Sequence, residues 1–186
     1  MKRIFDLTLA TVAFVLLIIP MLLIFIVILL TSKGSALNWS DRVGKNNKIF
    51  KMPKFRSMLI STPTVATHLL KNPGSYLSPI GGFLRRSSLD EIPQIFSVFK
   101  GDMSFVGPRP ALFNQNDLIN LRTNKGVNKL LPGITGWAQV NGRDELSIPN
   151  KVALDVEYLN RQSFLFDIKI LWMTLLKVVK GDNVGH

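Results

Sequence analysis

The sequence predicts a predominantly α protein with short β segments. It reads as an N-terminal re-entrant membrane helix hairpin over residues 1–32 and a compact membrane-associated domain over residues 33–186 with interfacial amphipathic helices. Three observations carry this. The run Leu7–Leu30 holds 24 residues without a charge. Apolar residues recur at helical spacing after Glu91 and again beyond Pro149. Between these segments glycines and prolines cut the chain into short pieces, one of which, Lys48–Met58, alternates apolar and basic residues as a strand does.

As one straight helix the apolar run would reach ~36 Å, enough for a bilayer. A cleaved signal peptide would have an apolar core of only ~7–15 residues and a small-residue cleavage site, and neither is present. A spanning helix would strand basic residues on the outer side, because Lys2 and Arg3 precede the run and Lys33, Arg42, Lys45, Lys48 and Lys51 follow it. A hairpin breaking near Pro20 keeps both ends on the cytoplasmic side, with about 13 residues descending and about ten returning, each arm reaching about half the ~30 Å hydrocarbon core.

The formal charge of +11 is concentrated: between Thr31 and Leu89 ten basic residues face a single acid, Asp41. Directly behind a membrane segment, such a face suits anionic phospholipid headgroups and phosphorylated ligands, and the chain carries no nucleic-acid-binding motif. There is no cysteine, hence no disulfide or thiolate chemistry. The two histidines, His68 and His186, fit no zinc spacing, so any metal is oxygen-bound.

Within Lys48–Met58 the alternation places Lys54 and Arg56 on one side, and Pro53 argues for an edge strand. Residues 59–82 carry loop signals with a short helical candidate around Val65–Lys71. Ile92, Ile95, Phe96, Val98 and Phe99 form the apolar stripe of a helix ended by Gly101. Gly101–Pro110 reads as a rigid, turn-rich loop in which Arg109 offers a forked donor to phosphate. Leu131–Arg143 reads as a second dense loop with Trp137, Gln139, Asn141 and Arg143. A helix beyond Pro149 carries Asp155 and Glu157. The segment Phe164–Lys180 is apolar but interrupted by Asp167, Lys169 and Lys177, which fits a helix lying at the membrane interface.

The run Arg85-Arg86-Ser87-Ser88-Leu89-Asp90-Glu91-Ile92-Pro93-Gln94 is the most informative. Moving a phosphoryl group needs cations to neutralise its oxygens and a nucleophile to reach phosphorus. Asp90 suits the nucleophile, and Glu91 suits a hard cation such as Mg²⁺. A plainer reading fits the same letters: Ser88-x-x-Glu91 matches a capping box, with Glu91 closing back on the Ser88 amide.

Five ordered segments closely resemble the bacterial sugar transferases, specifically the small monotopic phosphoglycosyl transferases. They are Lys2-Arg3-Ile4-Phe5-Asp6, Lys54-Phe55-Arg56-Ser57-Met58, Arg86–Gln94, Lys100–Pro110 and Pro132–Arg143. The resemblance implies a covalent two-step transfer. Asp90 would attack the β-phosphorus of a UDP-sugar and release UMP, Asp90 and Glu91 would hold Mg²⁺, and polyprenyl (undecaprenyl) phosphate would accept the phosphosugar. Lys54, Arg56, Arg86, Arg109, Pro110, Arg143 and Asp155 are the substrate-binding candidates. The expected setting is the cytoplasmic face of a bacterial inner membrane, with room for a homodimer. Here Ile19 precedes Pro20 where family members often place serine.

Overall fold

The computed structural model describes residues 1–63, 72–142 and 145–180; the helical candidate at 65–71 and Arg143 lie outside them. The chain opens with α1 (Lys2–Thr31), then pairs β1 (Leu37–Val43) with β2 (Ile49–Phe55). Next come α2 (Gly81–Arg86), a 3-10 helix (Leu89–Gln94), α3 (Ile95–Lys100), β3 (Ser104–Val106), β4 (Ala111–Leu112), α4 (Asn116–Asn124), β5 (Gly133–Thr135), α5 (Trp137–Val140), α6 (Ile148–Arg161) and α7 (Phe164–Lys180). The predominance of helix over short strands matches the sequence reading.

One detail differs. Separate arms on either side of Pro20 were expected, whereas α1 runs as one helix with Pro20 inside it. Proline removes a single helical donor, and long apolar stretches on both sides carry the helix past it. Among the described residues α1 is the one helix long and apolar enough to cross a membrane.

Both halves of α1 nonetheless rest on the same domain. Near its start, Arg3 donates to the carbonyls of Val98 (2.6 Å) and Phe99 (2.9 Å), which close α3. Asp6, 1% exposed, accepts from the Ser104 hydroxyl (3.0 Å) and the Phe105 N–H (3.1 Å). Lys2 reaches Asp167 of α7 at 2.5 Å, and the Tyr158 hydroxyl of α6 donates to that same carboxylate at 2.7 Å. Phe14 meets Phe96 and Phe99 edge-on. Beyond Pro20, Ile28 is buried with Ala36, Phe55 and Leu84, and Met21, Ile24 and Leu89 pack around them.

The strands form two small sheets. In the first, of order β2-β1-β4, β2 is an edge, as Pro53 required, and Trp39 faces Pro53 across the antiparallel pair. In the second, β3 and β5 run parallel, with Ser104 opposite Gly133 and Val106 opposite Thr135. The sequence reads both segments as parts of turn-rich or dense loops, whereas the structure pairs them as strands. Three residues are too few to show a strand's alternation. Gly101 ends α3 at φ +91, the left-handed conformation expected of a helix-terminating glycine. The proline-bearing N-terminus of α6 is capped by Ser147, whose hydroxyl accepts from the Asn150 N–H.

Along α7, Phe166, Asp167 and Ile170 face inward, while Phe164, Leu165, Trp172 and Leu175 are exposed. The amphipathic helix expected at Phe164–Lys180 is therefore present with an apolar outer face.

Candidate active site

Three segments converge on the Asp90-Glu91 pair. β2 brings Lys54 beside the 3-10 helix, and the Lys54 ammonium lies 2.7 Å from Glu91 Oε1. The loop after β3 brings Arg109, whose Nη2 lies 3.0 Å from the same oxygen. That loop sits hard against β5: the Gly107 N–H donates to the Thr135 carbonyl and the Gly133 N–H to the Pro108 carbonyl, each at 2.9 Å. A Cβ at Gly107 would lie 2.3 Å from the Leu131 carbonyl oxygen, so only glycine allows this approach.

The capping box does not form. Ser88 takes a left-handed conformation (φ 56) and makes no side-chain cap; the Glu91 N–H reaches its backbone carbonyl at 3.2 Å instead. The Glu91 carboxylate is drawn off by two cations, and the Ser88 N–H it would have closed on donates to the Arg85 carbonyl at 3.1 Å instead. Pro93 is accommodated because the turn is 3-10 through Gln94 and becomes α-helical only at Ile95.

Asp90 is 8% exposed. Burial pushes its carboxyl above the usual carboxylate range, opposed by Lys54 and reinforced by Glu91, while Arg85 and Arg109 also pull it down. Burial in turn lowers the Lys54 ammonium, which Glu91 and Asp90 hold up and Arg109 and Arg42 push further down. The result is a desolvated carboxylate bordered by three cationic side chains, suited to attack on an electron-poor centre whose anionic oxygens those cations receive.

The other candidates are distributed differently. Arg56 donates to the Lys33 carbonyl at 3.1 Å, at the exit of α1. Arg86 is exposed at the end of α2, whereas its neighbour Arg85, not singled out from sequence, acts on Asp90 and meets Met58 Sδ at 3.1 Å. Pro110 is buried, and its carbonyl accepts from Arg42 at 3.2 Å. Asp155 is 1% exposed and faces Arg122, not an open cleft. Arg122 was missed; a charged side chain one turn from buried Leu118 was the available signal.

For a metal, the described residues hold no group of three or more acidic or imidazole ligands. Two adjacent carboxylates fit a hard divalent ion of the kind that takes one or two protein oxygens and completes its shell from substrate phosphates. A cavity of about 30 Å³ lies behind Arg109 against Pro110, Arg122 and Asn128, and neither acid of the pair lines it.

A nearly buried aspartate among cations thus lies in a chain whose first helix is long and apolar enough to cross a membrane. The bacterial sugar transferase family matches residues 1–181, and this chain belongs to that family. It is 38% identical to the uncharacterized sugar transferase EpsL of Bacillus subtilis (strain 168), over 99% of this chain and 90% of that protein. It is 38% identical to the undecaprenyl-phosphate glucose phosphotransferase of Komagataeibacter xylinus, over 98% of this chain and 36% of that protein. It is 37% identical to the UDP-glucose:undecaprenyl-phosphate glucose-1-phosphate transferase of Escherichia coli (strain K12), over 95% of this chain and 40% of that protein. The chain thus spans well under half the length of the last two.

Proposed function

We propose that this protein transfers a phosphosugar from a UDP-sugar to undecaprenyl phosphate through a covalent aspartyl intermediate. The observation that carries the reading is Asp90, nearly buried yet bordered by Lys54, Arg85 and Arg109. The relatives named for undecaprenyl-phosphate sugar transfer support the donor and acceptor classes.

In the first step a carboxylate oxygen of Asp90 bonds to the β-phosphorus, and the bond from that phosphorus to the bridging oxygen breaks. UMP leaves with the bridging oxygen. In the second step a phosphate oxygen of the lipid bonds to the same phosphorus, and the Asp90 carboxylate is regenerated. Lys54 and Arg109 receive the charge on the non-bridging oxygens, and their shared hold on Glu91 fixes them in place before substrate arrives. Arg143 and Arg86 are assigned to the donor's diphosphate. Asp90 and Glu91 would hold Mg²⁺, which would supply charge neutralisation at the diphosphate.

The proposed setting has both ends of α1 on one side of the bilayer, a reading supported by the contacts of Arg3, Asp6 and Ile28 with residues beyond α1. The basic stretch after α1 supports assigning that side to the cytoplasmic face of the inner membrane. Apolar side chains of α1 and α7 then face lipid, and anionic headgroups meet Lys33, Lys45 and Lys48.

The test is UMP release from a panel of UDP-sugars by the purified protein in nanodiscs with Mg²⁺ and undecaprenyl phosphate, beside Asp90→Asn. Sustained turnover that needs the lipid, with at most about one equivalent of UMP per protein formed without it, and loss of both in the variant is the expected result. Sustained release without lipid makes the protein a hydrolase, and no release from any donor by folded protein leaves a basic membrane-surface scaffold.

A further inference from the structure

Arg109 is held between two prolines, and the three carbonyls of Pro108-Arg109-Pro110 are each taken by a different element. Gly133 of β5 donates its N–H to Pro108, Arg122 of α4 donates Nη1 to Arg109 (2.8 Å), and Arg42 of β1 donates Nη1 to Pro110. Proline supplies no N–H, and the residue before a proline is confined to extended backbone, so this segment cannot hold itself by its own turn hydrogen bonds. Its position is set from outside.

The middle donor is itself oriented. Arg122 gives Nε (2.9 Å) and Nη2 (2.7 Å) to one oxygen of Asp155, on α6, which leaves Nη1 aimed at the Arg109 carbonyl. Arg122 is 7% exposed and Asp155 1%. A buried ion pair is a poor way to stabilise a fold, since well-packed apolar side chains of similar volume often do as well or better. What an apolar pair would not do is deliver an N–H to that carbonyl. The carbonyl belongs to the residue whose guanidinium lies 3.0 Å from Glu91.

We infer that Arg122 and Asp155 are positioning residues: they fix the backbone of Arg109, and through it the guanidinium that meets the donor's diphosphate. The inference rests on the transfer reaction proposed above. It replaces direct substrate contact by Asp155 with action at one remove. Displacements of about 1 Å at a reacting centre are worth up to about 10²-fold in rate, so a backbone pin of this kind has a measurable effect.

The experiment is a double-mutant cycle on the full chain in nanodiscs, with Asp155→Asn, Arg109→Ala and the combination, reading kcat and KM for UDP-sugar and for undecaprenyl phosphate, and the dissociation constant for UDP alone. Asp155→Asn is expected to raise the UDP-sugar KM and the UDP dissociation constant about tenfold, leave the lipid KM unchanged, and add nothing to Arg109→Ala. Arg122→Lys, which keeps a charge beside Asp155 but lacks the fork, gives the same pattern and serves if Asp155→Asn fails to fold. Full additivity, or equal loss against both substrates, overturns the positioning role while lipid-dependent turnover by the unaltered protein leaves the transfer reading standing. Binding of UDP without turnover sinks the transfer reading, and the cycle is then scored on UDP dissociation constants; absence of both overturns both.

Discussion

Lys54 and Arg109 close on the same oxygen of Glu91, at 2.7 Å and 3.0 Å. Glu91 thereby holds two cations beside Asp90, which pull the proposed nucleophile's carboxyl down while burial and Glu91 push it up. In the proposed transfer Asp90 would attack only when ionised. Lys54→Met therefore moves the acid limb of the kcat/KM profile to higher pH and costs about 10²-fold at neutral pH. Residual activity in Glu91→Gln shows the acid limb moved to lower pH. The check is UMP release across a pH series; an unmoved limb in both variants removes Asp90 from the rate-limiting ionisation.

Asp90→Asn is expected to stabilise the fold while abolishing the proposed transfer. A carboxyl raised in the folded state holds its proton better there than in the unfolded chain. Its contribution is thus fully present below the ordinary aspartate pKa and is lost as pH rises through the folded value. The variant should melt higher than the parent at neutral pH, and the gain should vanish near pH ~4. Thermal unfolding in nanodiscs at both pH values decides it.

Asp6 anchors α1 through two hydrogen bonds to a buried carboxylate. Asp6→Ala leaves the Ser104 hydroxyl and the Phe105 N–H without that acceptor and should cost about 2–4 kcal/mol. Denaturant unfolding measures it, and limited proteolysis should show α1 released first.

Ser88 sits at φ 56, where a β-branched side chain is strained. Ser88→Val should destabilise by about 1–2 kcal/mol, and Ser88→Gly should be neutral or stabilising. Equal melting temperatures for all three proteins would mean the turn is remade in solution.

Trp172 is 60% exposed on the apolar outer face of α7. In a Trp39→Phe, Trp137→Phe background its fluorescence should be quenched strongly by lipids brominated high on the acyl chain. Absence of quenching would place α7 away from the bilayer.

The helices α6 and α7 were legible in the sequence because apolar spacing there extends over several turns, and α1 because its apolar run is uninterrupted, although its continuity through Pro20 was not. So was the edge strand β2, through alternation and Pro53. The short strands β3, β4 and β5 were not, since their pairing is decided by distant partners such as Gly133 with Ser104. At the site, Asp90, Glu91, Lys54 and Arg109 stand in recognisable motifs, and the structure gathers them. The roles of Arg85 and Arg122 depend on which way a side chain turns, and no local pattern encodes that. Ser88-x-x-Glu91 misled for a related reason: the pattern is local, whereas the cations that claim Glu91 come from residues 54 and 109.

Lys2 meets Asp167 across 165 positions of chain. Ribosomes make that interval at about 5–20 residues per second, so α1 emerges many seconds before its last partner exists. During that time a helix this apolar would aggregate in water, and the bilayer is its only good solvent. Insertion is therefore expected to precede assembly, with the rest of the chain closing around a helix already in the membrane. Chains released from ribosomes without a bilayer present should be insoluble even though most of their residues belong to a polar domain.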